Sequence, residues 1–179
     1  VTVKEVHMYV NYDVMDMFRM DKNGAVPYGW TVTDGVKVVQ AKGDLDPNSV
    51  KIRGKGSAKK TFDKVSGKFV YETFVRVVDK QSASVSVLLG DKTAVKVDIA
   101  DGKITSGGKH MRDYTKGIWQ LIRVEGDTTT GKALLKVNNK KTIEVDMPVD
   151  GIDTILIESY GEGDFFFDDV EVYNVYDYE

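Results

Sequence analysis

The sequence predicts an all-β fold, a two-sheet antiparallel β-sandwich, and three observations lead to this prediction. Short runs of alternating apolar and polar residues recur along the chain with a period of two, the side-chain period of a half-buried strand. Turn residues such as Asp34-Gly35, Gly90-Asp91 and Asn138-Asn139 close these runs. Residues 14–20 have ambiguous spacing and no convincing cap, so we do not predict a helix there.

The alternating runs account for about ten strands, and hairpin turns at Asp101-Gly102 and Gly107-Gly108 separate some of them. Because we find no internal repeat and no linker, we expect the strands to close into two packed sheets. The predicted strands cover residues 36–40, 50–52, 69–78, 84–89, 94–99, 119–125, 133–137, 142–145, 152–157 and 165–173.

Length and composition restrict the class of protein. The 179 residues suit one β-sandwich, so we expect a single domain over residues 1–179. Hydrophobic residues make up 41% and charged residues 30%, which is globular composition. A net charge of -3 argues against nucleic acid as a partner, and no apolar run approaches the roughly 20 residues of a membrane span.

The first residue and the lack of cysteine bear on whether the chain is part of a larger protein and on where that protein is located. Val1 is not a natural initiator, so we expect a module excised from a larger multidomain protein, or a processed form. Because cysteine is absent, neither disulfides nor thiol ligands hold the fold. This favours a secreted, extracellular bacterial protein, with the cell surface as a second possible location.

The order of short motifs in the second half resembles the concanavalin A-like, or laminin G-like, jelly-roll modules of bacterial carbohydrate-active enzymes. In the first half, Met17-Phe18 followed by Val26-Pro27-Tyr28-Gly29-Trp30 is similar to the entry of such modules. Jelly rolls of the galactose-binding type share the closing strand, so the exact family stays open. The motifs that carry the resemblance are Gly117-Ile-Trp119, Arg123-Val-Glu125-Gly-Asp127, Gly131-Lys-Ala-Leu-Leu-Lys-Val-Asn138-Asn139, Ile152-Asp-Thr-Ile155 and Phe167-Asp168-Asp169-Val170-Glu-Val-Tyr173.

Asp168 is the candidate metal ligand. Uninterrupted alternation places Asp168 on the face of Phe166, Val170 and Val172, which makes it an inward carboxylate. Such a group is costly to bury unless it is paired or bound to a cation, and calcium prefers oxygen ligands. The resemblance implies a structural calcium between this strand and the chain entry, with Asp16 as co-ligand. The alternative is a buried aspartate satisfied by backbone N–H groups.

Alternation also predicts a polar surface that suits carbohydrate. Placing the valine and isoleucine side chains of three strands in the core leaves Lys96, Asp98, Glu158 and Tyr160 outside, together with Ser86. On the long strand, the outer side receives a carboxylate, a ring and a guanidinium, from Glu72, Phe74 and Arg76. This mixture suits sugar hydroxyls and an aromatic platform. A plain solvated sheet face with cross-strand ion pairs is the alternative.

Residues 106–114 are predicted to form a mobile surface loop that carries His110, Arg112 and Tyr114. Loops of this kind often carry specificity, so we include these three in the carbohydrate-binding set, with an ordinary loop as the alternative. Trp30 and Trp119 stand at strand entries beside glycine within apolar runs, so both are assigned to packing.

The sequence offers no catalytic apparatus. The carboxylate run Glu-x-Asp-x-x-Glu of laminarinase-type enzymes is missing, and two histidines without a nucleophile elbow do not support a triad. We therefore predict a non-catalytic carbohydrate-binding module that targets attached catalytic domains of the same chain to a polysaccharide or oligosaccharide. The alternatives are a structural or adhesive jelly-roll spacer and a small polysaccharide lyase or glycosidase.

Overall fold

The computed structural model describes residues 7–41, 47–140 and 142–178, and this part of the chain forms fifteen strands and no helix. The strands are β1 (His7–Asp16), β2 (Thr31–Val32), β3 (Val36–Gln40), β4 (Asn48–Arg53), β5 (Gly56–Val65), β6 (Lys68–Val77), β7 (Ala83–Leu89), β8 (Lys92–Ala100), β9 (Lys103–Ser106), β10 (Lys109–Asp113), β11 (Gln120–Asp127), β12 (Lys132–Val137), β13 (Thr142–Asp146), β14 (Ile152–Ser159) and β15 (Asp164–Tyr178). Nothing in the described ranges is a helix suited to crossing a membrane.

Two antiparallel sheets form the sandwich, as the alternation predicts. The first sheet has the order β13-β12-β11-β6-β15-β4-β3, and β1 also pairs with β15. The second sheet has the order β10-β9-β8-β7-β14-β5-β2. About half of the strand pairings join strands that are not consecutive, and the long strand β15 pairs with β1, β4 and β6 from the first half of the chain.

The core lies between the sheets and follows the period of two. On β6, Phe69, Tyr71 and Val75 point inward, whereas Glu72 and Phe74 alternate with them on the outer side. The predicted in-and-out assignment of this strand is therefore confirmed. The valines predicted to be buried on the second sheet belong to the same core cluster.

A β-bulge in β15 overturns the predicted direction of Asp168. The register shifts between Asp168 and Glu171, and Asp169 has a positive φ of 48°. The extra residue changes the alternation, because a bulge sends the following side chains to the other face. Asp168 consequently lies opposite Phe74 on the outer side, whereas Val170 returns to the core. The prediction that Asp168 shares a face with Val170 and Val172 is wrong, whereas its shared face with Phe166 and its burial, at 8% exposed, are confirmed.

Two strand regions do not follow from the sequence pattern. Strand β5 carries a run of lysine, threonine and aspartate, and among its side chains only Ala58 and Val65 are buried. The expected loop at residues 106–114 is instead mostly strand: β9 and β10 form an edge hairpin that turns at Gly107-Gly108. Strands β5, β9 and β10 each bury only one or two apolar side chains, so their partners in the sheet determine them more than their own residues do.

Trp30 packs in the core, as predicted. Its ring centroid lies 5.3 Å from that of Phe167 and 6.2 Å from that of Phe18. The indole Nε1 donates a hydrogen bond of 2.8 Å to a carboxylate oxygen of Asp16, at the end of β1. This bond satisfies the only polar group of the buried indole.

Candidate functional site

The predicted carbohydrate-binding residues occupy two opposite faces of the sandwich. Glu72, Phe74 and Arg76 lie on β6, in the first sheet, and point outward. The remaining candidates belong to strands or adjoining turns of the second sheet. Because the two groups lie on different sheets, they do not form a single shared patch. Alternation predicts which side chains point away from the core, but it does not predict which sheet a strand joins.

On the second sheet, two buried serines form the floor of a shallow trough. Ser84 and Ser86 alternate with Val85 and Val87 of the core, so their hydroxyls face outward. Their exposed fractions are nevertheless only 0% and 4%. The longer side chains around them must therefore rise above the floor. We call this surface the serine trough, and it consists of Ser84, Ser86, Lys96, Asp98, Leu156, Glu158 and Tyr160.

The strand register assembles the serine trough. On one side β8 places Asp98 opposite Ser84 and Lys96 opposite Ser86. On the other side β14 places Glu158 opposite Ser84. Longer side chains on both neighbours of β7 rise above the two serines and cover them, so the accessible surface is formed by those longer side chains.

Tyr160 is the aromatic side chain of the serine trough. Its hydroxyl oxygen lies 2.6 Å from the Ser84 hydroxyl oxygen, and its backbone N–H donates to the Ser82 carbonyl at 2.9 Å. The side chain remains 41% exposed. The Lys96 ammonium lies 5.9 Å from the ring centroid and 3.7 Å from a carboxylate oxygen of Asp98. The ring is thus anchored at its polar tip while part of its surface stays accessible.

His110 extends the same face across the edge hairpin. It lies opposite Thr105, which in turn lies opposite Asp98. Its Nε2 is 2.8 Å from Asp113 Oδ1. The resulting cross-strand row joins the outer side of five strands, and with strands about 4.8 Å apart it is roughly 20 Å long. The row consists of His110, Thr105, Asp98, Ser84 and Glu158.

The hairpin separates the other two loop candidates from His110. A bulge between His110 and Arg112 turns Met111 into the core and leaves Arg112 opposite Ile104. Tyr114 packs against the core cluster, and burial raises the pKa of its phenol. We therefore assign Tyr114 to packing, and of the three predicted residues only His110 shares a row with the serine trough.

The outer face of the first sheet carries a stacked cation. The Arg76 guanidinium carbon lies 4.3 Å from the ring centroid of Phe166 and 5.1 Å from that of Trp119. Trp119 is half-buried and lies outside the core cluster, so its assignment to core packing is wrong. It directly precedes β11 and stands near Gly117 within an apolar run, the features of the sequence that indicate core packing.

A second arginine on this face is fully engaged by its neighbours. Arg123 forms an ion pair with Glu72, donates to Glu125 at 2.8 Å and donates to the Tyr173 hydroxyl at 3.2 Å. Lys136 donates to the same Glu125 at 2.8 Å. Partial burial opposes the charge on Arg123, but these hydrogen bonds outweigh burial and raise its pKa. Glu72 is thus a structural partner of Arg123.

The two predicted metal ligands leave their strands in different directions. Asp16 accepts a hydrogen bond from Trp30 and forms an ion pair of 2.9 Å with Lys60. Asp168 is on the outer side, and its Oδ1 accepts from the Asp169 backbone N–H at 2.8 Å. The described residues contain no group of three or more acidic, histidine or cysteine side chains placed to hold a metal. The geometry does not support a shared site with Asp16, and calcium at Asp168 stays a prediction.

Comparison with known proteins identifies relatives by structure only. No protein-family model matches the chain, and no curated protein matches it by sequence. A structure described as a sialidase has a TM-score of 0.70 at 12% identity over 90% of this chain, but this chain spans only 18% of that protein. Domain 4 of AbnA, a GH43 extracellular arabinanase from Geobacillus stearothermophilus in complex with arabinotriose, has a TM-score of 0.56 at 9% identity, covering 92% and 93% of the two chains.

The carbohydrate-binding module CBM66 from Bacillus subtilis also matches, with a TM-score of 0.51 at 12% identity over 79% of this chain and 93% of that one. At such identities the likeness establishes the fold and leaves the ligand open. The chain therefore has the two-sheet jelly-roll fold of the modules found in carbohydrate-active enzymes.

Proposed function

We propose that this chain is a non-catalytic carbohydrate-binding module that holds a glycan in the serine trough. The observation that carries the proposal is the partly exposed Tyr160 ring, which the buried Ser84 hydroxyl holds in place beside the Lys96 ammonium. The fold shared with carbohydrate-binding modules supports the same conclusion.

The chemistry of the serine trough suits a sugar ring. Sugars present an apolar C–H face and a rim of hydroxyls, so they require an aromatic surface beside hydrogen-bond donors and acceptors. Tyr160 supplies the ring, Lys96 donates, and Asp98 and Glu158 accept. The opposite charges of Lys96 and Asp98 lie close together, which favours a neutral glycan over a strongly charged one.

The extent of the face favours an oligosaccharide or polysaccharide. The cross-strand row from His110 to Glu158 is roughly 20 Å long, which is more than a single sugar ring covers. An open, shallow surface gives weak binding at each position. Weak binding is useful when the module is attached to a catalytic domain, because attachment raises the effective concentration of the enzyme at its substrate. We infer an extracellular protein with catalytic neighbours in the same chain.

Affinity electrophoresis and a glycan array with the purified chain test the proposal, with release of reducing sugar followed in parallel. We expect binding to a neutral glycan without product. Tyr160→Ala should weaken binding about tenfold, which corresponds to about 1.4 kcal/mol. Tyr160→Phe keeps the ring but loses the contact with Ser84, so it should have a smaller effect.

Tyr12→Ala is the matched control, because Tyr12 is similarly exposed but lies on β1, in the first sheet. Equal weakening by Tyr12→Ala, or full binding by Tyr160→Ala, would exclude the serine trough as the site. Binding to no glycan would instead support a structural spacer, and reducing-sugar release would support an enzyme. Parallel runs in calcium and in chelator test the predicted calcium site at Asp168.

A further inference from the structure

A row of cations crosses the outer face of the first sheet, on the opposite side of the molecule from the serine trough. The strand register places Lys37 opposite Lys51, Lys51 opposite Phe166, and Phe166 opposite Arg76. All four side chains alternate with core residues and therefore point outward. We call this row the basic stripe, and it consists of Lys37, Lys51, Phe166 and Arg76.

The cations of the basic stripe have no anionic partner in the described part of the chain. Neither Lys37, Lys51 nor Arg76 forms an ion pair there, and the buried Nε of Arg76 has no hydrogen-bond acceptor. Two lysines directly opposite each other on paired strands repel, which costs stability. The three cations therefore lie along one row without an ion pair among the described residues, in a protein whose net charge is -3, and the carboxylates nearest in register, Asp164 and Asp168, lie two residues to either side of Phe166.

Arg76 differs in its partners from Arg123, which lies on the same face. Arg123 is balanced by two carboxylates and a phenol, so it stabilises the sheet. The Arg76 guanidinium instead lies over the Phe166 and Trp119 rings and forms no ion pair with a described carboxylate. Because its Nε is buried, the two Nη groups are the donors that it can offer to a ligand. A planar, preorganised fork of N–H donors matches the two oxygens of a carboxylate.

We propose that the basic stripe binds the carboxylates of an acidic polysaccharide, such as a polyuronate, as a second glycan site. The choice of a saccharide depends on the proposed function; the choice of an anion depends on the stripe itself. A nucleic acid fits less well, because base stacking needs open ring faces. Here Arg76 already lies over both rings. The cations span about three strand spacings, roughly 14 Å, so a polymer with regularly repeated carboxylates can meet more than one of them.

Affinity electrophoresis of the full chain in polygalacturonate, and in the same polymer with its carboxyl groups reduced to alcohols, tests the proposal. We expect retardation by the acidic polymer, loss of retardation in the reduced polymer, and weakening as salt is raised. Arg76→Gln should weaken binding at least tenfold. Arg76→Lys keeps the charge but loses the flat fork, so it should fall between Arg76→Gln and the unchanged protein.

Lys103→Gln, which removes one charge from the second sheet, is the matched control. If Arg76→Gln lowers the melting temperature strongly, Lys51→Gln decides the question, because among the described residues the Lys51 ammonium makes no cation–π contact that the substitution would remove. Equal binding by Arg76→Gln and Lys103→Gln, no binding of polygalacturonate, or tighter binding of a single-stranded oligonucleotide would overturn the proposal. Tyr160→Ala should bind polygalacturonate as tightly as the unchanged protein does. A failure of the proposal for the basic stripe can therefore be distinguished from a failure of the proposal for the serine trough.

Discussion

Replacing Gln81 with alanine removes four hydrogen bonds that tie three turns together at one end of the sandwich. The amide Nε2 donates to the carbonyls of Gly54, at 2.9 Å, and Gly163, at 2.7 Å. The amide oxygen accepts from the backbone N–H groups of Ser82, at 3.0 Å, and Gly161, at 2.6 Å. The side chain is only 4% exposed, so water does not readily replace these partners.

The expected loss of stability follows from this count. A net contribution of about 1 kcal/mol for each hydrogen bond gives about 3–4 kcal/mol, and backbone groups left buried without partners push the cost toward the upper end. In a chain of this size, about 1 kcal/mol lowers the melting temperature by roughly 2–4 °C. We therefore expect a melting temperature lower by about 6–16 °C.

Urea unfolding of Gln81→Ala and Gln81→Met separates hydrogen bonding from packing. Methionine restores most of the side-chain volume but cannot donate, so both variants should lose most of the stability. Gln40→Ala, at an exposed position on β3, should change stability by less than about 0.5 kcal/mol. A loss below about 1 kcal/mol for both Gln81 variants would refute the argument that this side chain holds the turns together.

Two further changes test the packing and the electrostatics of the first sheet. A methyl group at Gly126 would lie 2.3 Å from Phe69 Cζ, so Gly126→Ala should lower the free energy of unfolding in urea by about 1–3 kcal/mol. Adding Phe69→Leu should recover part of this loss. Strict additivity of the two free-energy changes would argue against the clash. Burial and the facing charge of Glu72 raise the pKa of Glu171, which disfavours its carboxylate in the folded state. Glu171→Gln should therefore raise the melting temperature at pH 7, and this gain should disappear below the unfolded carboxyl pKa of about 4.3. The control is Glu162→Gln, at an exposed position. A gain that does not depend on pH, or an equal gain in the control, would contradict this prediction.

The sequence predicts the strands well where one face is buried. On β6 the alternation of Phe69, Glu72 and Val75 is strict, because every second side chain contacts the other sheet. The same holds for the valines of β7 and β8. Strand β5 and the edge hairpin escape prediction because few of their residues contact the core, so their local pattern carries little information.

Alternation fails as a guide to the candidate sites at two points. The bulge at Asp169 puts Asp168 and Val170 on opposite faces, and a single extra residue leaves no clear mark in the sequence. Trp119 is a large apolar residue in an apolar run, which is typical of a core position, but its ring contacts the Arg76 guanidinium. Its environment depends on β6, which is far away in sequence.

The sequence by itself determined the all-β class, most strand positions and which side chains leave the core, because these follow from the local period of two. Only the tertiary structure decided which outward residues meet. Ser84, Asp98 and Glu158 become neighbours through pairing of β7, β8 and β14. Lys51 meets Phe166 only because β4 pairs with β15, across more than a hundred residues. Strand order and register arise from the packing of the whole chain, and so both proposed binding surfaces arise from it as well.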